Sequence, residues 1–179
     1  GFRVHEHTLA DYRGMLQARG LIADAIFREV ATTAAHHSVP AASFVSVRRR
    51  GEEAARAAAA GDLTVLIGYD LRFWRELSAL FGNAYLSDFL HRLRVQSWVC
   101  AVPHLRREAE RGGDLRGRLW SRHLDLVEAL TCRDAVLAHA IVAEYNAHSL
   151  DLVEGLAASG GQEARPGEGP GQHSPQAPA

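Results

Sequence analysis

The sequence predicts an all-α protein, an antiparallel bundle of about six to seven helices. Apolar residues recur at i, i+3, i+4 and i+7 along most of the chain, which is the pattern of amphipathic helices. Glycine-containing breaks separate these segments at Gly61, Gly82 and Gly112. A chain of 179 residues is long enough for one domain with a sizeable core.

Composition favours a cytoplasmic protein without a membrane segment. The formal net charge is -1, so no overall field attracts nucleic acid or an acidic membrane surface. The two cysteines, Cys100 and Cys132, lack metal-motif spacing and are interpreted as reduced thiols. No apolar run approaches the roughly 20 residues that span a bilayer, and the N-terminus carries no signal-peptide pattern.

The two ends differ in composition from residues 9–156, which carry the helical pattern. Residues 1–8 lack Met, and Phe2 and Val4 alternate like the end of a β-strand, so we expect a linker that follows another domain. A disordered leader is the open alternative. Residues 157–179 are rich in Gly, Pro and Gln, and we expect a disordered tail because they offer little apolar surface to bury.

Helix signals place the elements in order. A first helix is expected from Leu9 to about residue 34, followed by a connector that contains His36 and His37, which we interpret as solvated. Asp62 is expected to cap the third helix, and Pro103 to stop the fourth. The remaining expected helices are 41–60, 62–81, 85–102, 114–131 and 134–156, with a loop or frayed helix over 104–113.

Asp70 interrupts an apolar face of the third helix. That face otherwise consists of Leu66, Phe73, Trp74 and Leu77. A buried carboxylate costs free energy unless it is paired, hydrogen-bonded or bound to a cation. Asp70 is therefore a candidate site residue, although a structural hydrogen bond to a neighbouring helix gives the same pattern.

Further polar residues share faces with apolar ones on later helices. His123 lies on the apolar face of the fifth helix, and Tyr145 and His148 lie on that of the sixth. On the fourth helix, polar and aromatic residues that include Arg94 and Trp98 are interleaved with the side expected to be buried, which consists of Leu86, Phe89, Leu90, Leu93, Val95 and Val99.

The order of several motifs resembles the FCD domain. Its Asp-x-x-Phe-His…Leu…Gly-Asn…Leu pattern is matched by Asp70, Phe73, Leu77, Gly82-Asn83 and Leu86, with Trp74 in place of His. The later Glu-His…Ala-Ile/Leu…Gly-Asp…Ala pattern resembles the order of His123, Ala129-Leu130, Asp134 and Ala138. FCD domains are the all-helical effector-sensing domains of FadR-type regulators in the GntR transcription factor family.

The resemblance implies a dimeric sensor in a bacterial transcription regulator, with a small organic or fatty acid bound inside the bundle. DNA would be contacted only through an upstream winged-helix domain. Residues 1–8 would form the end of the wing of that domain. Arg19 occupies the position of a family arginine that can meet an acidic effector group, and a surface or salt-bridging role is its equal alternative. The implied effector-binding residues are Arg19, Asp70, Trp74, Arg94, His123, Tyr145 and His148.

Many FCD domains hold a divalent metal through one Asp and three His. Here Asp70 and His123 match that set, whereas Trp74 and Tyr145 stand at the other two positions. His148, one turn beyond Tyr145, could replace the last His. The resemblance thus implies a degenerate set of Asp70, His123 and His148 for zinc, nickel or manganese. In the metal-free alternative, Trp74 and Tyr145 fill that volume or stack on a larger, more apolar ligand.

The sequence is also compatible with two other functions. Inward Asp, His and Tyr side chains could form a metal-dependent hydrolase or lyase, although no activated Ser or Cys nucleophile is evident. A protein-interaction domain with a purely structural polar core is the other alternative.

Overall fold

Six α-helices and one short 3-10 turn make up the described part of the chain. The structure, a computed structural model, describes residues 7–33 and 39–162. The helices are α1 Leu9–Thr33, α2 Phe44–Ala60, α3 Leu63–Ala79, α4 Ala84–Glu110, α5 His123–Thr131 and α6 Ala135–Gln162. The predicted all-α bundle is confirmed. The strand-like start at 1–6, the histidine connector at 34–38 and the tail from 163 lie outside the described residues.

Local capping sets several helix ends, and the predicted Asp62 cap is confirmed. The Asp62 side chain accepts a hydrogen bond from the Val65 backbone N–H at 3.0 Å, and Asn83 accepts from Leu86 at 3.0 Å. Each cap satisfies a backbone donor that has no partner within the helix. Gly61 ends α2 with a φ of 71°, a left-handed conformation that favours glycine.

Two expected boundaries between α4 and α5 are wrong. Pro103 does not stop the fourth helix, because α4 continues to Glu110. Burial of Ala101 and Leu105 on either side of the proline outweighs its cost of roughly 3 kcal/mol. The fifth helix begins at His123 rather than 114, and Gly117, at φ 70°, interrupts the preceding turns. Residues 111–122 instead form a connector without regular helix.

The outer side of α4 also differs from the prediction. Leu90 is buried, but Phe89, Val95 and Val99 are 41%, 37% and 56% exposed. Leu93 is buried as expected, and the buried side also carries Arg94 and Ser97 together with small residues. At the other end of the chain, α6 extends six residues past the expected limit at residue 156, since Val153 and Leu156 anchor its last turns in the core.

The core consists of two apolar clusters along the bundle. The first joins α1, the end of α2, α4 and the second half of α6; the second joins the start of α2, α3, α5 and the first half of α6. On α3, Leu66 belongs to the first cluster and Phe73 to the second. Asp70 lies between these two residues, so the polar site occupies the boundary between the clusters. Within residues 7–33 and 39–162, no helix has both the length and the apolarity that a membrane crossing requires.

Candidate functional site

Asp70 is the centre of a buried hydrogen-bond network. Its side chain accepts four hydrogen bonds, two at each carboxylate oxygen. Oδ1 accepts from Trp74 Nε1 at 3.0 Å and pairs with His123 Nε2 at 3.0 Å. Oδ2 accepts from Trp98 Nε1 at 2.9 Å and from the Tyr145 hydroxyl at 3.3 Å. We call Asp70 and these four donors the Asp70 hub.

The four donors saturate the carboxylate. A carboxylate has two oxygens with about four lone-pair sites in all, and the hub uses each of them. Burial alone would raise the pKa of Asp70, but the hydrogen bond and charge of His123, together with Arg94 and Trp98, lower it. Asp70 is therefore ionised at neutral pH and accepts only, so His123 donates from Nε2.

Sequence-distant helices supply the hub. Trp74 lies one turn after Asp70 on α3, Trp98 on α4, His123 at the start of α5 and Tyr145 on α6. Burial and the charge of Asp70 raise the pKa of Tyr145, which keeps its hydroxyl a donor. Phe73 packs edge-on against His123, with ring centroids 4.9 Å apart, and so holds the imidazole in place.

Two buried arginines flank the hub. Arg19 is 3% exposed and Arg94 is 6% exposed. The Arg94 guanidinium carbon lies 3.6 Å from the centroid of the Trp74 ring, and that of Arg19 lies 4.9 Å from the Tyr145 ring. Burial and the neighbouring Arg19 lower the pKa of Arg94 to about 9, so it remains a cation at neutral pH.

A small cavity adjoins the hub. It measures about 40 Å³ and is lined by residues of α1, α3, α4, α6 and the 111–122 connector. Its polar wall includes the side chains of Arg19, Asp70, Trp120 and Tyr145. Its apolar wall includes Leu66, Leu105 and Leu119. The cavity is thus mainly apolar, and the charged side chains in its wall are Arg19 and Asp70.

The structure brings together most of the predicted site residues. Asp70, Trp74, His123 and Tyr145 are in direct hydrogen-bond contact, with Arg19 and Arg94 stacked on the aromatic rings. His148 lines the cavity but donates to the Arg118 carbonyl at 2.6 Å instead of joining the hub. The role of the predicted site residues in effector binding stays a prediction.

Sequence reasoning missed the roles of Trp98 and Trp120. Trp98 donates to Asp70 from α4, and the Trp120 ring lies 4.6 Å from those of both His123 and Tyr145. All three tryptophans of the chain gather here. No local signal in the sequence indicates these roles, because both depend on how α4 and the 111–122 connector pack against α3, α5 and α6.

The donor set does not fit a metal centre. Trp74 and Tyr145 occupy two of the four family ligand positions, and a neutral indole does not coordinate zinc. His148 is held by Arg118, and across the described ranges no three His, Cys, Asp or Glu side chains lie close enough to share an ion. The predicted set of Asp70, His123 and His148 is therefore not brought together.

Replacing Trp98 with Phe tests the hub without removing an aromatic ring. We expect the free energy of unfolding to fall by about 1.5–3 kcal/mol, because a hydrogen bond to a charged acceptor is lost. Trp120→Phe is the matched control: it removes the same indole volume from a buried position, but Trp120 Nε1 has no partner among the described residues, so only the packing loss and no hydrogen-bond loss is expected. Urea unfolding measures both, and equal losses would contradict the hub.

Comparison with known proteins identifies a family. A family model described as FCD domain matches residues 14–148, which is well over half of the chain and includes every hub residue. The searches of curated proteins and of solved structures find no match.

Proposed function

Because the chain belongs to the FCD family, whose members are effector-binding regions of GntR-type transcription regulators, we propose that it is the sensing and dimerisation region of such a regulator. Its ligand is a small carboxylate or acyl-type molecule held inside the bundle. DNA contact falls to a separate winged-helix domain, and the regulator acts in the cytoplasm.

The observation that carries this proposal is the buried Arg19 in the wall of the cavity, with a second buried arginine, Arg94, stacked on Trp74 of the hub. Both guanidiniums keep N–H groups without hydrogen-bond partners in the described part of the chain. Such groups are costly in a protein interior and match a carboxylate in geometry and charge. A purely structural core gains nothing from them.

The position of the cavity supports a sensing role. Its walls come from four helices that are distant in sequence, and from the irregular 111–122 connector. A ligand that binds more tightly to one arrangement of these elements shifts the population toward it. In a dimer, such a shift would change the relative positions of the two attached DNA-binding domains.

Thermal unfolding with a panel of organic acids tests the proposal. Acids of increasing chain length are compared with their neutral amides. An acid at one hundred times its dissociation constant stabilises the folded state by about 2.7 kcal/mol, which raises the unfolding temperature by roughly 5–10 °C. If no acid raises it more than its amide, the protein is not a carboxylate sensor.

The same assay separates the alternatives. A ligand-free interaction domain predicts no shift with any acid. The metal-dependent enzyme required a set of metal ligands that residues 7–33 and 39–162 do not bring together, so the geometry favours the sensor.

The exposed side of α4 supports dimerisation. Tyr85, Phe89, Val95 and Val99 fall within roughly a third of the helix circumference, given 3.6 residues per turn, and Tyr85 is 90% exposed. We propose that this stripe packs against a second copy of the chain. An exposed apolar stripe of this kind is typical of a protein interface.

Replacing Phe89 with Asp is expected to weaken the dimer at least tenfold, because a charge is then buried in an apolar contact. Val136→Asp is the control: Val136 is 82% exposed but lies on α6, away from the stripe. Sedimentation equilibrium measures both variants. A monomeric wild-type chain, or an unchanged dimer with Phe89→Asp, would contradict this interface.

A further inference from the structure

The cavity beside the hub is smaller than the ligand that the proposed function requires. An engineered cavity of about 150 Å³ takes up benzene, whereas this one measures about 40 Å³. A carboxylate with a carbon chain does not fit a space of that size, and a close-packed interior has little slack around it. One wall of the cavity must therefore move before such a ligand enters.

Four of the walls belong to helices that are fixed in the bundle. The helices α1, α3, α4 and α6 line the cavity, and each contributes side chains to at least one apolar cluster. Each also keeps its shape through hydrogen bonds between backbone groups four residues apart. The remaining wall is the 111–122 connector, which has no regular helix and lines the cavity with Leu119 and Trp120.

Few backbone hydrogen bonds hold the connector. Among the described residues, the one backbone–backbone hydrogen bond made by residues 114–121 runs from the Arg118 N–H to the Leu115 carbonyl, inside the segment. Segments with few such bonds open at a lower cost in free energy than packed helices do. Gly112 and Gly117 have φ values of 84° and 70°, and glycine allows the large changes in φ and ψ that a hinge needs.

Two contacts of Arg118 hold the connector against the helices. The Arg118 Nη1 atom donates to Glu108 Oε1 on α4 at 2.6 Å, and the Arg118 carbonyl accepts from His148 Nε2 on α6 at 2.6 Å. We call these two hydrogen bonds the latch. His148 also lines the cavity, so the latch lies at the edge of the cavity.

Buried side chains determine which part of the connector is free to move. Leu115 and Leu119 are buried in the first apolar cluster, and Leu119 covers the cavity. Trp120 belongs to the second cluster, where its ring lies 4.6 Å from those of His123 and Tyr145. Trp120 therefore anchors one end of the segment, and the two glycines Gly112-Gly113 precede its other end.

We propose that residues 113–119 form a gate, which closes the cavity in this structure and admits a ligand when it swings outward about Gly112-Gly113 and Trp120. The inference rests on the proposed sensing function and adds how access to that site is regulated. The closed gate is the major state, because the latch and two buried leucines favour it. A ligand that fits only the enlarged cavity shifts the population toward the open state.

Labelling of a cysteine in the cavity wall measures the opening. Ser97 lines the cavity and is buried, so Ser97→Cys places a thiol of similar shape in the wall. The probe is iodoacetamide, which is too large for the closed cavity. Mass spectrometry resolves the labelled position in a chain that also carries Cys132→Ser, because Cys132 is exposed. Ala101→Cys, on the same wall, is used if circular dichroism shows that Ser97→Cys is unfolded.

A second thiol reports global unfolding. Ala138 is fully buried on α6 and does not line the cavity, so Ala138→Cys is labelled only when the bundle unfolds. Relative to the unfolded chain, we expect position 97 to react at least tenfold faster than position 138. In low urea the rate at position 97 should stay nearly constant, because gate opening exposes little surface, whereas the rate at position 138 should rise steeply.

Glu108→Ala removes the side-chain half of the latch, and Glu154→Ala is its matched control. Glu154 pairs with Arg13, so the control breaks a partly exposed ion pair between α6 and α1 that does not involve the gate. Glu108→Ala is expected to raise the labelling rate at position 97 at least threefold. Glu154→Ala is expected to leave that rate unchanged.

Two results would overturn the gate. Equal labelling rates and equal urea dependence at positions 97 and 138 would mean that the cavity opens only when the protein unfolds. Equal effects of Glu108→Ala and Glu154→Ala at position 97 would mean that the latch does not control access. In either case, an acid that stabilises the chain against thermal unfolding leaves the sensing function standing. If no acid does so, the sensing function falls, and the labelling rates then decide the opening of the gate alone.

Discussion

Replacing Asp70 with Asn is expected to lower the free energy of unfolding by about 3–5 kcal/mol, the cost of removing one partner from a buried ionic group. The amide presents N–H groups to at least one of the donors that the carboxylate now accepts from. It also leaves Arg19 and Arg94 without their buried counter-ion. In a domain of this size the unfolding temperature should fall by roughly 6–20 °C.

The pH dependence of this loss identifies its cause. The folded protein lowers the pKa of Asp70 below the ordinary value of 3.8. Its stabilising effect is therefore complete above pH 3.8 and is lost as the pH falls through the lower, folded-state pKa. We expect the stability difference between the wild type and Asp70→Asn to shrink in that acidic range.

The control for Asp70→Asn is Asp62→Asn on the same helix. Asp62 is an exposed N-cap, and Asn caps helices about as well as Asp, so a change below about 0.5 kcal/mol is expected. Chemical unfolding from pH 3 to pH 7 measures both. A loss for Asp70→Asn below about 1 kcal/mol, or one that is independent of pH, would contradict an ionised Asp70 at the centre of the hub.

Replacing Phe73 with Ala is expected to cost about 3–5 kcal/mol, since it removes a fully buried aromatic ring. The ring lies edge-on to both Trp74 and His123, with centroid distances of 5.2 and 4.9 Å. A Cβ atom at Gly51 would lie 3.2 Å from the Phe73 ring, which shows how closely α2 approaches it. The cavity left by alanine would loosen two of the four hub donors.

Phe73→Leu separates packing from the hub. Leucine fills much of the volume, so a smaller loss of about 1–2 kcal/mol is expected. Urea unfolding with tryptophan fluorescence measures both variants, since Trp74 borders the new cavity. Equal stability of Phe73→Ala and the wild type would show that the ring does not hold this part of the core.

Much of the bundle could be predicted because its signals are local. The helical spacing around Asp70 correctly placed its side chain among buried residues. The N-cap residue Asp62 and the left-handed Gly61 set the α2–α3 turn through contacts within a few residues. Such interactions depend on neighbouring residues alone, so a single sequence contains them.

The wrong predictions concern features that depend on contacts between residues distant in sequence. Pro103 breaks a helix in isolation, but burial around it keeps α4 intact to Glu110. The alternation of apolar residues on α4 could not show that Phe89 and Val99 would lie outside and Arg94 inside. That choice depends on where α3 and α6 pack, since Arg94 stacks on Trp74 of α3.

The site was only half predictable for the same reason. The family pattern indicated which positions meet, and Asp70, Trp74, His123 and Tyr145 do meet in the structure. It could not indicate that Trp98, from a fourth helix, supplies the donor that completes the carboxylate. Hydrogen-bond donors stand here at positions where family members have metal ligands. This becomes clear only when every partner of Asp70 is known.

The measurement that bears most directly on the Asp70 hub is the unfolding temperature of the purified chain before and after chelation. Four side-chain donors, rather than a metal ion, satisfy the carboxylate, so the unfolding temperature is predicted to stay within about 1 °C, the shift of a few tenths of a kcal/mol. A fall of several degrees on chelation, restored by zinc, nickel or manganese, would contradict the hub and reinstate a metal centre at Asp70.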